Sequence, residues 1–375
     1  MAAVTDDQRI RTIIADGLAN RVFPGGVLLV DVGGRVVFFE AFGRASEVPV
    51  AQAMSTDTVF DLASLTKPLV TAALALSLVA ERRLSIDDPV GKYLPGWQQG
   101  PAAHATVRHL LTHTSGLPDW RPYYRQIPPE LVATPTGKRH VIDAAEHEPL
   151  ISAPGTDTRY SDLGFMLLGS ILERVADQPL DESARDRLFA PLGVRSVGYL
   201  PVRDTDSRAW ASTRIVAATE QCPWRGRVLR GEAHDENAYA MGGVSGHAGL
   251  FGDAIGVMEL VRAWRDGALG RSTRWPADQL ARFLTRQTDM GNGSWALGWT
   301  VPTPPSTSGR FFSPRSYGHL GFTGTSVWVD PDRELTVILL TNRVHPTRNN
   351  PGIGAFRPAI HDAIYRSLFD ASSAR

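Results

Sequence analysis

The sequence has little cysteine and no excess of charge, and each of these absences excludes a class of protein. Cys222 is the single cysteine among 375 residues, so no internal disulfide forms, and we expect this thiol to be buried and not a nucleophile. Lysines and arginines number 39, as do aspartates and glutamates, and no basic run stands out. Because nucleic-acid binding needs a basic face that neutralises phosphates, we predict no nucleic-acid partner.

Long hydrophobic runs are also missing. The longest strongly apolar stretch, Leu69 to Ala80, has 12 residues, whereas a helix needs about 20 to cross a bilayer. The N-terminus carries Asp6 and Asp7 where a secretory signal has basic residues, and no apolar segment follows. We expect a cytoplasmic protein with no membrane partner, and the sequence carries no signal of an oligomeric state.

Strand patterns are concentrated at the two ends of the chain. Apolar segments 27–30 and 36–39 flank Gly33-Gly34, a pair typical of a tight hairpin. Segments 326–329 and 335–340 predict a second hairpin. Apolar side chains spaced three and four residues apart predict a helix near each terminus.

These patterns predict an α+β fold in which both termini contribute to one antiparallel sheet, covered by the terminal helices, with an inserted all-helical region. The middle of the chain has mainly helical patterns and loops rich in proline and glycine. We therefore predict an α/β domain from residues 1–85 and 290–375 and a mainly helical domain from residues 86–289. A catalytic cleft is expected between the two domains.

Ser64 and Lys67 form the most informative motif. Ser64 stands at the start of a predicted helix, and Pro68 is tolerated in the first turn because N–H groups there lack acceptors. Residues three apart share a helix face, so the hydroxyl lies near the amine. The motif pairs a nucleophile with a base at a helix N-terminus, which favours developing negative charge. By itself, so short a motif is more often a helix cap followed by a solvated lysine.

Two further motifs follow in order along the chain. Tyr160-Ser161-Asp162 precedes an apolar helical pattern, and His319-Leu320-Gly321 precedes the second predicted hairpin. With this ordered set, the chain resembles the serine β-lactamase and penicillin-binding-protein superfamily, most of all its class C β-lactamases and related esterases. The resemblance covers nearly the whole chain. Supporting similarity lies in segments 106–118, 242–251 and 341–346.

The resemblance implies a role for each matching residue. Ser64 would be the acylated nucleophile, Lys67 its base or base partner, and Tyr160 the group that moves a proton to the leaving group or activates water. The backbone N–H groups of Ser64 and Phe322 would form the oxyanion hole. A lysine serves as a base only if burial or nearby cations lower its pKa from about 10.4, so we expect a lowered pKa for Lys67.

Two positions depart from the β-lactamase pattern. The lysine of the usual Lys-Thr-Gly is replaced by His319, which is followed by Leu320 and Gly321, and the asparagine of the usual Tyr-x-Asn is replaced by Asp162. The resemblance implies that Asp162, His319 and Gly321 contact the substrate. A neutral imidazole offers a substrate carboxylate a hydrogen bond but no charge. We therefore expect β-lactams to be poor substrates, whereas acyl chemistry at Ser64 is retained.

No motif predicts a metal or a cofactor. His109 and His113 have a spacing that zinc ligands use, but the H-E-x-x-H pattern is absent, and we expect structural histidines. The segment Gly243 to His247 lacks the last glycine of a nucleophile elbow. The polar segment 234–237 is either a loop over the cleft or a structural loop.

The sequence therefore predicts a serine hydrolase that forms an acyl-enzyme on Ser64 and acts on small acyl or aryl esters. A β-lactamase or D-amino-acid peptidase of the same fold is the alternative, and a non-catalytic binding protein that kept the fold is a more remote one. The expected partner is a small-molecule ester or amide substrate, with no cofactor. Arg343 and Arg348 follow the last predicted strand and either meet an acidic substrate group or lie on the surface.

Overall fold

Two segments far apart in the sequence form the centre of the largest sheet. The computed structural model describes residues 7–204, 206–287 and 293–370. The strands are β1 (Gly25–Val32), β2 (Arg35–Ser46), β3 (Gln52–Ala53), β4 (Phe60–Asp61), β5 (Val197–Tyr199), β6 (Gln221–Cys222), β7 (Arg227–Val228), β8 (Leu250–Gly252), β9 (Tyr317–Leu320), β10 (Ser326–Asp330) and β11 (Leu335–Thr341). The α-helices are α1 (Asp7–Ala19), α2 (Ala73–Ala80), α3 (Val107–Leu111), α4 (Pro135–Glu146), α5 (Asp162–Ala176), α6 (Leu180–Ala184), α7 (Ala190–Leu192), α8 (Ala209–Ser212), α9 (Glu236–Ala240), α10 (Ala254–Ala268), α11 (Ala277–Leu284) and α12 (Ile353–Phe369).

The large sheet has six antiparallel strands in the order β3-β2-β1-β11-β10-β9. Strands β1 and β11 pair from Gly26 opposite Thr341 to Val32 opposite Leu335, so the two ends of the chain meet in the middle of the sheet. Gly33 and Gly34 between β1 and β2 have φ values of 61° and 85°, which a tight turn matched to the twist of a hairpin requires. Both predicted hairpins are confirmed.

Side chains of β1 alternate between two hydrophobic cores. Val27 and Leu29 join the larger core, which also contains side chains of α2, α5 and α10. Leu28 and Val30 point to the opposite face and join the core formed with α1 and α12. All four side chains are fully buried, so helices cover both faces of the sheet at its centre.

Most of the other helices lie between β3 and β9 in the sequence, together with two small sheets. One small sheet has the order β4-β8-β5 and the other pairs β6 with β7. Both lie largely within the segment for which helices were predicted. The division into two domains stays a prediction, and its boundary between residues 289 and 290 lies outside the described residues.

The helical segment that contains Ser64 begins before the apolar run, at Ala63, and both end at Ala80. A 3-10 turn at Ala63–Leu65 and a π-helical turn at Lys67–Ala72 lead directly into α2. Length and composition alone would allow residues 63–80 to cross a membrane, which corrects the 12-residue limit derived from the sequence. However, 83 % of this segment is buried inside the protein, so its apolar side chains form core contacts.

Candidate active site

The backbone before Ser64 holds an unusual conformation that is fixed by hydrogen bonds. Ala63 has a φ of 47°, in the left-handed region that residues with a Cβ avoid. Oδ1 of Asp61 accepts a hydrogen bond from the Ala63 N–H at 2.8 Å, and the Thr66 hydroxyl donates to the Ala63 carbonyl at 2.6 Å. Two neighbouring side chains therefore hold the turn that presents Ser64 at the start of its helix.

Lys67 is the centre of the predicted catalytic group. Its side chain is fully buried, and its Nζ donates to Ser64 Oγ at 3.0 Å, to Tyr160 Oη at 2.6 Å and to Asp162 Oδ1 at 2.6 Å. A fourth oxygen, the carbonyl of His247, lies 3.3 Å away. The structure thus brings Tyr160 to Ser64 and Lys67, which lie far from it in the sequence, and it adds Asp162 to the group.

The charge state of this group differs from the expectation. Burial alone would lower the pKa of Lys67, but the carboxylate of Asp162 and the hydroxyl of Tyr160 raise that pKa more, and the net shift is upward. The predicted lowering of the Lys67 pKa is therefore wrong, because the charged group beside the ammonium is a carboxylate and not a cation. Burial also raises the pKa of Tyr160, more than Lys67 lowers it. At neutral pH, Lys67 is an ammonium and Tyr160 a neutral phenol.

The Tyr160-Ser161-Asp162 motif is the capped start of helix α5. The Ser161 hydroxyl accepts a hydrogen bond from the Gly164 N–H at 3.2 Å and donates to the Pro118 carbonyl at 2.7 Å. The Ser161 N–H donates to Nδ1 of His113 at 3.0 Å. The ring of His113 lies 4.6 Å from that of Tyr160, so this histidine packs against the motif. Helix capping explains why these three residues occupy fixed positions.

The turn after β9 is attached to the backbone before Ser64. The Thr323 hydroxyl donates to the carbonyl of Asp61 at 2.7 Å, and the Thr325 hydroxyl donates to the carbonyl of Leu62 at 3.1 Å. A Cβ at Gly321 would lie 2.0 Å from Thr325 Oγ1 and 2.7 Å from the Leu62 carbonyl oxygen, so this close approach requires glycine. Gly321 therefore has a role in packing the turn against the nucleophile.

This attachment puts Phe322 and Ser64 on adjacent segments. Within the described ranges, neither the Ser64 N–H nor the Phe322 N–H donates a hydrogen bond. Two unpaired N–H groups on neighbouring segments are what an oxyanion hole requires. The Phe322 ring is 49 % exposed and stacks on His234 with 5.6 Å between ring centroids.

His319 lines the cleft but does not offer the hydrogen bond expected from it. Burial and the nearby ammonium of Lys67 lower the pKa of His319 to about 3, so the imidazole is neutral. Its Nδ1 lies 2.9 Å from the Leu320 carbonyl, which accepts a hydrogen bond, so the proton is on Nδ1. The buried Nε2 is then an acceptor without a partner in the described chain. An acceptor does not bind a carboxylate, so the predicted hydrogen bond from His319 to a substrate carboxylate is wrong.

The cleft is a cavity of about 740 Å³ whose lining includes Ser64, Tyr160, Trp120 and Trp295. The segment 234–237 forms part of its wall. His234, Asp235 and Glu236 line the cavity, whereas the Asn237 amide joins two backbone groups, the carbonyl of Arg121 and the N–H of Tyr124. The segment is therefore both a cleft loop and, at its end, a structural element.

A second polar chain lies in the wall next to Lys67. The Nε2–H of His247 donates to Oδ1 of Asp235 at 2.9 Å, and Nδ1 of the same ring lies 2.8 Å from the Ser245 hydroxyl. A serine, a histidine and an aspartate thus follow one another in this chain of hydrogen bonds. However, Ser245 is 2 % exposed and does not line the cavity, so it is not a nucleophile. Nothing in the sequence spacing indicated that Asp235 and His247 would pair.

Three of these side chains have the donor types that a metal ion uses. One ligand atom each from Asp162, Asp235 and His247 lies within 4.8 Å of the others. The Lys67 ammonium already contacts Asp162, and His247 already donates to Asp235. Each of the three side chains therefore already has a hydrogen-bond partner within the described residues.

Arginines line the end of the cavity beside the Phe322 turn. Arg348 is paired with Glu220 and Glu236. Arg343 and Arg357, by contrast, make no ion pair within the part of the chain that the structure describes, and both are less than a tenth exposed. Burial lowers the pKa of Arg343, and it lowers the pKa of Arg357 to about 9. The alternative that Arg343 lies on the surface is wrong, whereas the side chain of Arg348 is 30 % exposed.

Arg343 and Arg357 are also bonded to the turn itself. Arg343 Nε donates to the Phe322 carbonyl at 2.8 Å, and Arg357 Nη2 donates to the Gly321 carbonyl at 3.0 Å and the Thr325 carbonyl at 2.7 Å. No sequence pattern indicated Arg357, because this residue lies in the apolar pattern of α12 and becomes a cleft residue only when α12 packs below the turn.

This chain is similar to known proteins in family, in sequence and in fold. The family model described as Beta-lactamase matches residues 10–357. The "N-acetylmuramyl-L-alanine amidase" of Bacillus subtilis (strain 168) is 33 % identical over 395 residues, covering 97 % of this chain and 88 % of that protein. The "Putative D-alanyl-D-alanine carboxypeptidase" of Escherichia coli (strain K12) is 31 % identical over 352 residues, covering 88 % of this chain and 80 % of that protein. The solved structure of "EstCE1, a hydrolase with promiscuous acyltransferase activity" shares the fold, with a TM-score of 0.70, 24 % identity and coverage of 96 % of this chain and 98 % of that one.

Proposed function

Because the chain belongs to the β-lactamase family of serine hydrolases, we propose that it hydrolyses small esters and amides through an acyl-enzyme on Ser64. One observation carries this proposal: the Ser64 hydroxyl lies 3.0 Å from a buried ammonium that also contacts Tyr160 at 2.6 Å. A serine hydroxyl is a weak nucleophile until a neighbouring group takes its proton. Lys67 and Tyr160 form the route by which that proton leaves and later reaches the leaving group.

The turn at Phe322 supplies the second requirement, which is stabilisation of the tetrahedral oxyanion. Unpaired N–H groups at Ser64 and Phe322 are held in a fixed arrangement by Thr323 and Thr325. A preorganised N–H donor is worth about 3–4 kcal/mol in the transition state because it needs no reorganisation during the reaction. In this proposal, the substrate carbonyl binds between Ser64 and the Phe322 turn.

Short esters are the substrates on which we propose to test the activity first. The cavity wall includes the aromatic side chains of Tyr160, Trp120 and Trp295, which suit small acyl and aryl groups. We expect hydrolysis of p-nitrophenyl acetate and butyrate that disappears in Ser64→Ala. Wild-type protein that releases no p-nitrophenol above the rate of Ser64→Ala would contradict an esterase and favour the remote alternative, a binding protein of this fold.

A second candidate activity is cleavage of an amide in a substrate that carries a carboxylate. The cationic groups of Arg343 and Arg357, which lack acidic partners in the described ranges, favour it. Two relatives are named for action on N-acetylmuramyl-L-alanine and D-alanyl-D-alanine, and both compounds bear a carboxylate. These arginines also replace the charge missing at His319, so β-lactamase activity stays open as an alternative.

Parallel assays of N-acetylmuramyl-L-alanine, D-alanyl-D-alanine and nitrocefin distinguish these activities. Release of alanine that depends on Ser64 supports the amidase or peptidase candidate, and rapid nitrocefin hydrolysis supports a β-lactamase. Hydrolysis of neutral esters with no turnover of any of the three carboxylate compounds supports an esterase alone.

A further inference from the structure

Asp162 contacts the Lys67 ammonium, through which the proposed proton transfers pass. We propose that Asp162 is the terminal proton acceptor of acylation, which receives a proton from Lys67 as Lys67 receives one from Ser64. This inference rests on the proposed acyl-enzyme function, and it adds the group in which the proton is held. Asp162 also lines the cavity, where the resemblance places it in contact with substrate, and the role proposed here concerns its contact with Lys67.

The contacts of Lys67 carry the argument. An ammonium has three protons, yet four oxygens surround Nζ, at 2.6 Å (Tyr160), 2.6 Å (Asp162), 3.0 Å (Ser64) and 3.3 Å (the His247 carbonyl). The contact with Asp162 joins an ammonium to a carboxylate at a distance typical of strong, charge-assisted hydrogen bonds. A proton crosses such a contact with little movement of heavy atoms, and the Ser64 proton replaces it on Nζ.

Lys67 alone does not accept a proton in the resting state. Asp162 and Tyr160 outweigh burial and raise the pKa of Lys67, so at neutral pH Nζ carries three protons and has no free electron pair to accept another. The phenol of Tyr160 is also neutral, because burial raises its pKa. Lys67 therefore takes a proton from Ser64 only by giving one up, and Asp162 is the carboxylate it contacts within the described residues.

The other titratable groups around Lys67 do not replace Asp162. His113 and His319 lie on two sides of Tyr160, and burial lowers the pKa of each, so both are uncharged at neutral pH. The carboxylate of Asp235 accepts hydrogen bonds from His247 at 2.9 Å and from the Ala238 N–H at 2.7 Å. Asp235 therefore has partners of its own.

The proposed step balances in atoms and charge. The Ser64 O–H bond breaks as Oγ forms a bond to the substrate carbonyl carbon, whose π electrons move to the carbonyl oxygen. The Ser64 proton passes to Nζ of Lys67, directly or through the Tyr160 hydroxyl, while a different proton passes from Nζ to Oδ1 of Asp162. Lys67 remains an ammonium and Asp162 becomes a carboxylic acid. When the tetrahedral intermediate collapses, the proton returns along the same route to the leaving group.

The test is the pH dependence of kcat/KM for a p-nitrophenyl ester in the wild type and in Asp162→Asn, from about pH 5 to about pH 10. For the wild type we expect a level profile through neutral and alkaline pH, since Lys67 never has to lose its charge. In Asp162→Asn, we expect a loss of about 10²-fold at neutral pH. Its rate should rise about tenfold per pH unit only up to the pKa of Lys67, which burial lowers once the carboxylate is gone, because below that pKa Lys67 must first release a proton to water.

Two variants separate proton acceptance from a structural effect. Asp162→Glu keeps the carboxylate and should restore a level profile, even at a reduced rate. Asp278→Asn removes an exposed acid from the first turn of another helix, α11, and should leave the wild-type profile unchanged. Thermal melting of each variant reports whether it folds.

The outcomes also distinguish this inference from the proposed function. A wild-type rate that rises tenfold per pH unit at alkaline pH, or an Asp162→Asn profile as level as that of the wild type, would overturn the role of Asp162 and leave the acyl-enzyme intact. Activity retained in Ser64→Ala would overturn the proposed function itself, whatever Asp162 does.

Discussion

The carboxylate of Asp61 joins the nucleophile turn to the opposite wall of the cleft at His234. Its Oδ1 accepts the N–H of Ala63 at 2.8 Å, and its Oδ2 accepts the N–H of His234 at 2.7 Å. Asp61 is 3 % exposed, and burial raises its pKa. The two backbone donors are what keep this carboxylate in place, and through it the two walls are held at a fixed separation.

Asp61→Asn should therefore lower both stability and turnover. The amide of asparagine keeps one acceptor but turns an NH₂ group toward the other N–H donor, which leaves a buried donor unsatisfied. We expect the free energy of unfolding to fall by about 1–3 kcal/mol, and kcat to fall more than KM changes, because the Ala63 turn that presents Ser64 loosens. Urea unfolding and ester kinetics measure the two effects, with the exposed Asp57→Asn as control. Unchanged unfolding and unchanged kcat would show that Asp61 does not hold the turn.

Lys67→Ala and Tyr160→Phe should lower kcat strongly with little effect on KM. Both residues contact the same proton route, and loss of a general acid or base typically reduces rates by about 10²–10⁴-fold. The effects should be far from additive in the double variant, since either change alone interrupts the route. Steady-state kinetics on a p-nitrophenyl ester provide the measurement. Near-wild-type kcat in either variant is the result that removes that residue from the route.

Arg343→Met should change substrate preference more than it changes overall activity. The guanidinium lies at the cavity end without an acidic partner in the described ranges, so its loss weakens binding of carboxylate-bearing substrates by about 10–100-fold, the equivalent of one charged hydrogen bond. Neutral esters should lose less, through the contact between Arg343 and the Phe322 carbonyl. The ratio of kcat/KM for nitrocefin to that for p-nitrophenyl acetate is the readout, and Arg343→Lys, which keeps the charge, is the control. An unchanged ratio would contradict an anion-binding role.

His319→Gln should reduce the acid sensitivity of the fold. Because the pKa of His319 is lowered to about 3, the unfolded chain binds a proton near pH 6.5 that the folded protein does not bind until about pH 3. In this window the unfolded state holds more protons, so stability falls as pH falls, by about 1.4 kcal/mol per pH unit for one such group. Chemical unfolding of the wild type and the variant between about pH 4 and about pH 7 measures this slope. Equal slopes for the two proteins are the contrary outcome.

Local sequence patterns predicted the two hairpins and the contact between Ser64 and Lys67 because these depend on short-range physics. The Gly33-Gly34 turn and the alternation of β1 each follow from a few adjacent residues. The contact between Ser64 and Lys67 follows from their spacing at the start of a helix. The resemblance to a known family supplied Tyr160, whose distance from Ser64 in the sequence no periodicity specifies.

Features that depend on which distant segments meet could not be predicted. The raised pKa of Lys67 results from Asp162, whose carboxylate reaches Nζ only after α5 packs beside the Ser64 helix. Arg357 becomes part of the cleft because α12 covers the sheet below the Phe322 turn. The tautomer of His319 is set by the Leu320 carbonyl, a backbone group that the sequence does not distinguish from any other.

The most direct test of the account is the intact mass of the protein after brief exposure to a slowly turned-over p-nitrophenyl ester. We predict a single adduct with the mass of the acyl group, located on Ser64 by peptide mapping and absent from Ser64→Ala. An adduct that persists in Ser64→Ala, or ester hydrolysis that proceeds through no covalent adduct under any quench condition, would contradict the acyl-enzyme on Ser64.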